Sequence, residues 1–335
     1  MFLTFYGLTE KPFNTTPDPK FLFLTPAHRE ALAQLIYGVR EEKGFIVLTG
    51  EVGTGKTTLL RALLNRLDAG TAVAFVAHAT LPFEGLLEYL LEDFGLAKGE
   101  QSPAQRLVAL NRFLIERQRA GQTSVLVLDE AQNLEPATLE QIRLLSNFES
   151  PTHKLIQIIL AGQPELIGKL RRPELRQLKQ RVGLLCRIPR LTSDETRQYI
   201  RTRLRIAGAR DLTLFSERAV AQIAAHSAGI PRVINILCDH CLVTGYVEQR
   251  RKIDRDIVDQ AIRYFEEGAA APVPRRGRSR WGLQHPPRWA AGALGVALLG
   301  LVSTLLAPGM IGEVATRLAG YVAQGWQAGW GSVFR

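Results

Sequence analysis

The sequence predicts an α/β protein with a parallel sheet flanked by helices, followed by an α-helical unit and a C-terminal transmembrane helix. Short β-branched and apolar runs at 45–49, 72–77, 125–128 and 155–160 alternate with longer segments of helical period, as in a buried parallel sheet with crossover helices. From residue 192 to 267 strands stop, and four helical stretches begin near Ser193, Ser216, Pro231 and Asp254, each at a capping or first-turn residue. After Gly268 a Pro- and Arg-rich stretch leads into 24 uncharged residues, 289–312, where about 20 helical residues suffice to cross a hydrocarbon core.

The expected organisation is therefore a sheet domain at 1–190, a four-helix unit at 191–267, a basic linker at 268–288, a membrane helix at 289–312 and a short extracytoplasmic tail at 313–335. Residues 1–13 lack a basic start followed by an apolar run, so they do not read as a secretory signal. Five arginines, Arg275, Arg276, Arg278, Arg280 and Arg288, precede the uncharged run, against Arg317 and Arg335 after it. Arginine excess marks the cytoplasmic side, so the large domain is expected inside the cell at the inner membrane, in a single-pass arrangement.

Charge distribution bears on function. The net charge is +10, but seven arginines and one acid lie after residue 268, so only +4 belongs to the first 268 residues. A basic surface for nucleic acid is not indicated in the folded part. Three cysteines in 335 residues suggest no disulfide framework. Cys238 and Cys241 flank Asp239-His240 in a metal- or redox-like spacing, but they fall within a helical stretch and lack a second ligand pair. Buried helix packing is the expectation for them.

The sharpest motif is Gly50-Glu51-Val52-Gly53-Thr54-Gly55-Lys56-Thr57, followed by Thr58. It fits the P-loop at every defined position and stands between an apolar strand and a helix. Glycines let backbone N–H groups wrap a phosphate, and the helix that follows offers its positive end. Lys56 is placed for the β- and γ-phosphates of ATP, and Thr57 for Mg²⁺. The run 125–128 then delivers Asp129 and Glu130 to the sheet's carboxyl edge. Asp129 is the second Mg²⁺ ligand and Glu130 the group that polarises the attacking water. The chain therefore reads as a P-loop NTPase.

These motifs, with Asp129-Glu130-Ala131-Gln132-Asn133-Leu134, Leu160-Ala161-Gly162-Gln163-Pro164-Glu165-Leu166, the opening Phe5-Tyr6-Gly7-Leu8, Lys11-Pro12-Phe13 and Pro17-Asp18-Pro19, resemble the AAA+ ATPases of the general secretion pathway protein A (ExeA-like) family. The resemblance runs from about residue 5 to 265. It implies an α-helical lid at 191–267, a γ-phosphate sensor at Gln163, an arginine finger at Arg181, with Arg176 the weaker alternative, and a second sensor at Arg232. It also implies a homo-oligomer, a ring in which Arg181 serves a neighbour's nucleotide. The family carries an asparagine after its second strand, where this chain has His78.

Two functional classes follow. One is a membrane-anchored ATPase that hydrolyses ATP to drive or regulate assembly of an envelope machine, with an inner-membrane or envelope partner: type II secretion-like, pilus or polysaccharide export. The other is a DNA-acting ATPase of the transposition or replication-regulator kind. DNA is the less expected partner, because the ATPase region is mildly basic and the arginines cluster beside the uncharged run.

Overall fold

The computed structural model describes residues 2–16, 18–77, 80–96, 102–149 and 153–268. The expected linker, membrane helix and tail lie outside the described residues beyond 268, as does His78. Among the described residues no helix is long and apolar enough to cross a membrane.

The chain runs α1 (Phe2–Tyr6), α2 (Pro26–Arg40), β1 (Phe45–Gly50), α3 (Lys56–Leu64), β2 (Ala72–Val76), α4 (Phe83–Asp93), α5 (Pro103–Arg119) and β3 (Ser124–Leu128). It continues through α6 (Pro136–Leu145), β4 (Gln157–Gly162), α7 (Glu165–Leu170), α8 (Arg176–Gln180) and β5 (Val182–Ile188) to the helices α9 (Ser193–Ile206), α10 (Glu217–Ser227), α11 (Pro231–Val247) and α12 (Arg255–Gly268). The strands form one parallel sheet in the order β2-β3-β4-β1-β5. Every strand therefore ends on the same edge, the edge at which open α/β sheets bind ligands.

Side-chain alternation explains the layers. Phe45 and Val47 of β1, Leu126 and Leu128 of β3, and Ile158 and Leu160 of β4 join one apolar cluster with Leu86, Leu110 and Ile142 of α4, α5 and α6. Their neighbours Ile46, Leu48, Val125, Val127 and Ile159 join a second cluster with Leu32, Leu35, Leu59 and Leu63 of α2 and α3. A strand buried on both faces is apolar along most of its length, which is why 45–48 in β1, 125–128 in β3 and 158–161 in β4 read as unbroken runs. Each fully buried leucine contributes about 1.5–3 kcal/mol.

Two strands depart from expectation. β4 begins and ends two residues later than the apolar run, because its ladder with β1 extends to Leu48↔Ala161 and Thr49↔Gly162. That extension carries Gln163 to the sheet's carboxyl edge. β5 has no counterpart among the expected runs. It is an edge strand in which Gly183, Leu185 and Arg187 are exposed, so a half-wet alternation replaces the apolar signature.

A third cluster builds the helical layer from α9, α10, α11 and α12, and residues 6–21 of the N-terminal segment belong to it through Tyr6, Leu8, Phe13 and Phe21. Backbone and side-chain bonds fix that segment: Thr9 N–H donates to Ala207 O at 2.8 Å, and Tyr6 Oη donates to Arg250 O at 3.0 Å. Arg203, 6% exposed, donates to the carbonyls of Pro12 and Asn14 and lies over the Phe21 ring at 4.7 Å. The N-terminus thus forms a strap along the helical layer. Helix α9 starts on a capping box between Thr192 and Glu195, α10 on a Ser216 cap and α11 on Pro231.

Candidate nucleotide site

The loop between β1 and α3 is shaped by glycine. Gly53 and Gly55 hold φ of 79° and 98°, left-handed values that cost other residues roughly 1–2 kcal/mol. At Gly50 a Cβ would stand 2.8 Å from Thr54 Oγ1 and 3.0 Å from Ile188 O. Gly55 also occupies the cap position of α3 and offers no side-chain acceptor, so the helix's first N–H groups keep no intrahelical partner. They form the ready-made anion cradle of a helix N-terminus.

Lys56 is 6% exposed. Its Nζ donates to Gly50 O at 2.8 Å and Glu51 O at 3.1 Å, so the ammonium lies across the loop it belongs to. Burial pulls its pKa below the ordinary lysine value, against the opposing pull of Glu130, Asp129, Glu51 and Glu165. At the rim, Glu51 pairs with Arg190 at 3.2 Å, Val52 is exposed and Thr58 half-buried.

Thr57 Oγ1 donates to Asp129 Oδ2 at 2.6 Å. Asp129 itself is 3% exposed and is tied to β2 by its N–H on Val76 O at 2.9 Å. Two hard oxygens at a phosphate loop suit Mg²⁺, which takes one or two protein oxygens and completes its shell with phosphates and water. Bound there, the ion supplies positive charge against phosphate oxygens. Among the described residues no three His, Cys, Asp or Glu side chains gather as a metal cage. Cys238 and Cys241 are free and buried in α11, where they pack in the helical core.

Glu130 follows with φ 54° and ψ 35°, a left-handed backbone rare outside glycine and worth attention where it occurs. Its Oε2 accepts Gln132 Nε2 at 2.5 Å and Gln163 Nε2 at 3.4 Å. Gln163 N–H in turn donates to Gln132 Oε1 at 3.0 Å. The expected sensor and the expected water-polarising carboxylate are thus in contact. Gln132 stands between them, bonded to both, in a position for which its motif alone predicts no role.

A cleft of about 490 Å³ separates this edge from the helical layer. Lys56, Thr57, Glu130, Phe21, Tyr199 and Arg232 are among its walls. Arg232 N–H donates to Gly53 O at 3.2 Å, so the first turn of α11 touches the phosphate loop through its backbone while the Arg232 side chain remains exposed.

His28 is a second residue at this cleft that no sequence motif marks. It is 5% exposed, lies 2.7 Å from Thr25 Oγ1 through Nδ1 and 3.3 Å from Thr54 O through Nε2. Burial lowers its pKa, opposed by the Thr54 bond and the charge of Glu195. A neutral ring with hydrogen on Nε2 donates to the loop carbonyl and accepts from the threonine.

Arg181 is not brought to this cleft. It precedes β5, whose first residue pairs with Phe45 at the start of β1, and the phosphate loop leaves the other end of β1, about 16 Å away at about 3.3 Å per residue. Its Nη1 donates to Ser146 Oγ at 2.7 Å. Arg176 is exposed on α8. Neither faces the chain's own nucleotide site.

The five-stranded parallel sheet, phosphate loop, strand-borne carboxylates and adjoining helical layer define a P-loop NTPase of the AAA+ kind. Residues 39–170 match the family model described as AAA domain. General secretion pathway protein A of Aeromonas hydrophila is 41% identical over 254 residues, which cover 76% of this chain and 46% of that protein. The chain belongs to the AAA+ ATPase family of general secretion pathway protein A. An uncharacterized HTH-type transcriptional regulator of Methanocaldococcus jannaschii is 25% identical over 248 residues, covering 70% of this chain and 59% of that one. The chain spans about half the length of these curated relatives. Among solved structures, Cdc6p from Pyrobaculum aerophilum matches at a TM-score of 0.58 and 19% identity over 75% of this chain and 69% of that one. The Aeropyrum pernix ORC2 protein matches at 0.56 and 18% over 76% and 71%. These two establish likeness of fold.

Proposed function

We propose that this chain is a membrane-anchored ATPase that hydrolyses ATP to drive or regulate assembly of an envelope machine, of the type II secretion, pilus or polysaccharide-export kind. The observation that carries hydrolysis is the convergence of Lys56, the Thr57–Asp129 pair and Glu130 on one cleft edge. Lys56 and the loop N–H groups hold the phosphates, Thr57 and Asp129 hold Mg²⁺, and Glu130 takes a proton from the attacking water. Phosphoryl transfer asks little more of a protein than such positioning and charge stabilisation. Gln163 reports the γ-phosphate, and Arg232 draws the helical lid toward it.

The envelope role is supported by the 41% identity to general secretion pathway protein A. The anchor rests on the 24 uncharged residues at 289–312 and the five arginines before them. Domain limits are proposed at 190/191 for core and lid, 267/268 for the linker and 312/313 for the outer tail. Arg181 stands away from its own site, which favours a homo-oligomer in which it serves a neighbour.

Turnover of ATP by the purified chain, lost in Lys56→Ala together with nucleotide affinity, tests the enzymatic half. Membrane fractionation before and after deletion of 289–312 tests the anchor. Tight, nucleotide-controlled duplex binding by the chain at physiological salt would instead favour the DNA-acting alternative.

A further inference from the structure

The described residues contain one polar bridge at the catalytic edge that neither the phosphate loop nor the carboxylate pair accounts for. Gln132 lies in the turn Ala131–Asn133, immediately after Glu130. Both ends of its amide are engaged in different elements. Nε2 donates to Glu130 Oε2 at 2.5 Å, and Oε1 accepts the backbone N–H of Gln163 at 3.0 Å.

The surroundings are built for this side chain. Gly162, the last residue of β4, admits it: a Cβ there would stand 2.7 Å from Gln132 Oε1 and 3.3 Å from Gln132 N. Lys169 of α7 fixes the turn's backbone, donating from Nζ to Gln132 O at 2.5 Å and Leu134 O at 2.7 Å. The left-handed backbone of Glu130 turns its carboxylate onto the amide. Such a backbone persists where neighbouring contacts over-determine it.

We propose that Gln132 is the positioning residue for Glu130 and its mechanical link to Gln163, holding the carboxylate through Nε2 and the end of β4 through Oε1. A shift of the Gln163 backbone in response to a γ-phosphate is then delivered to Glu130 through the Gln132 amide, beside the longer direct contact of Gln163 Nε2 with Glu130 Oε2 at 3.4 Å. Gln132 touches no reacting atom; it acts through Glu130. This rests on the reading of Glu130 as the group that accepts a proton from water.

The test compares ATP turnover by the full chain and its Gln132→Met, Glu130→Gln and doubly substituted forms, with binding of a fluorescent ATP analogue measured alongside. Methionine keeps the length and much of the volume of glutamine while removing both hydrogen-bonding ends. General-base catalysis is worth 10²–10⁴-fold, so loss of its alignment alone is expected to lower kcat about tenfold, with KM and analogue affinity within about twofold. In the Glu130→Gln background, Gln132→Met is expected to cost nothing further, because there is no carboxylate left to position.

Gln132→Met turning over at the wild-type rate while Glu130→Gln is inactive overturns the positioning role and leaves hydrolysis by Glu130 standing. An equal loss in both backgrounds also overturns it, since Gln132 would then act elsewhere. Wild-type turnover in Glu130→Gln overturns the reading of Glu130 and the link with it.

Discussion

Thr57 Oγ1 and Asp129 Oδ2 stand 2.6 Å apart, joining the first turn of α3 to the end of β3 across 72 residues of sequence. Asp129 is nearly inaccessible, and the Thr57 hydroxyl is a hydrogen-bond partner of its carboxylate; the proposed function adds Mg²⁺ beside them when nucleotide binds. Asp129→Ala removes one hard-oxygen ligand and leaves Lys56 and the loop untouched. The Mg²⁺ concentration for half-maximal ATP turnover is expected to rise tenfold or more, roughly the 1.4 kcal/mol of one weakened charged contact. ATP affinity in the presence of a chelator is expected to stay within about twofold of the wild type. Unaltered Mg²⁺ dependence would remove Asp129 from the metal site.

Gly53 is where the phosphate loop touches the first turn of α11. A Cβ on it would stand 2.6 Å from Arg232 Cβ and 3.2 Å from Ile230 Cγ2, at a φ of 79°. Gly53→Ala therefore adds a left-handed backbone penalty of roughly 1–2 kcal/mol and pushes the first turn of α11 off the loop. Nucleotide affinity is expected to fall at least tenfold, since about 1.4 kcal/mol is a factor of ten. Arg232→Ala retains the offending Cβ, so it does not rescue Gly53→Ala. Arg232→Gly removes the 2.6 Å clash and leaves the tight Ile230 contact and the backbone penalty. Equal affinities in all three would show that the loop and α11 do not press on each other.

The phosphate loop and the two strand-end carboxylates were legible in the sequence because each is a contiguous run whose chemistry depends on its own neighbours. The buried strands β1, β3 and β4 were legible for a similar reason: both faces are dry, so their centres are apolar runs, with the buried polar Thr49, Ser124 and Gln157 only at or near the strand ends. β5 was not, because as an edge strand it leaves Leu185 and Arg187 in solvent. The strap was also hidden. Tyr6 meets Arg250 across 244 positions and Arg203 meets Pro12 across 191, and no local period encodes such pairings. Gln132 sat in plain view two residues after Glu130, but only the end of β4 shows what its other amide atom meets. Arg181 and Arg232 came from family resemblance. Geometry brings Arg232 to the loop and leaves Arg181 on the far edge.

His28 makes stability depend on pH with a definite sign. Burial lowers its folded pKa below the ordinary 6.5, so in acid the unfolded chain binds a proton that the folded chain resists. Stability is then greatest above about pH 6.5 and falls as pH drops toward the lowered folded value. Glutamine can donate to Thr54 O without titrating, so His28→Gln is expected to lose less stability between about pH 7.5 and pH 5.5 than the wild type does. Urea unfolding midpoints at the two pH values measure this. A drop of equal size in both proteins would mean that His28 binds its proton alike in the folded and unfolded chain.

Arg181 sits on the sheet edge remote from its own phosphate loop and donates to Ser146 Oγ at 2.7 Å, half-buried between β5 and the end of α6. No rearrangement of a single side chain carries it across the sheet, so any contact with a γ-phosphate has to be with a second copy's. An arginine supplied in trans is worth 10³–10⁵-fold in phosphoryl transfer. Arg181→Ala is therefore expected to lower turnover by about 10³-fold while ATP affinity per chain changes little. Mixing it with Glu130→Gln gives the decisive measurement. The Arg181→Ala copy keeps Glu130 and the Glu130→Gln copy keeps Arg181, so one kind of mixed interface holds a complete site. Turnover is expected to appear on mixing, to peak near equal proportions and to vanish on dilution below the assembly concentration. Activity absent at every ratio would show that Arg181 does not act in trans, and wild-type activity in Arg181→Ala alone would show that Arg181 is not the catalytic arginine.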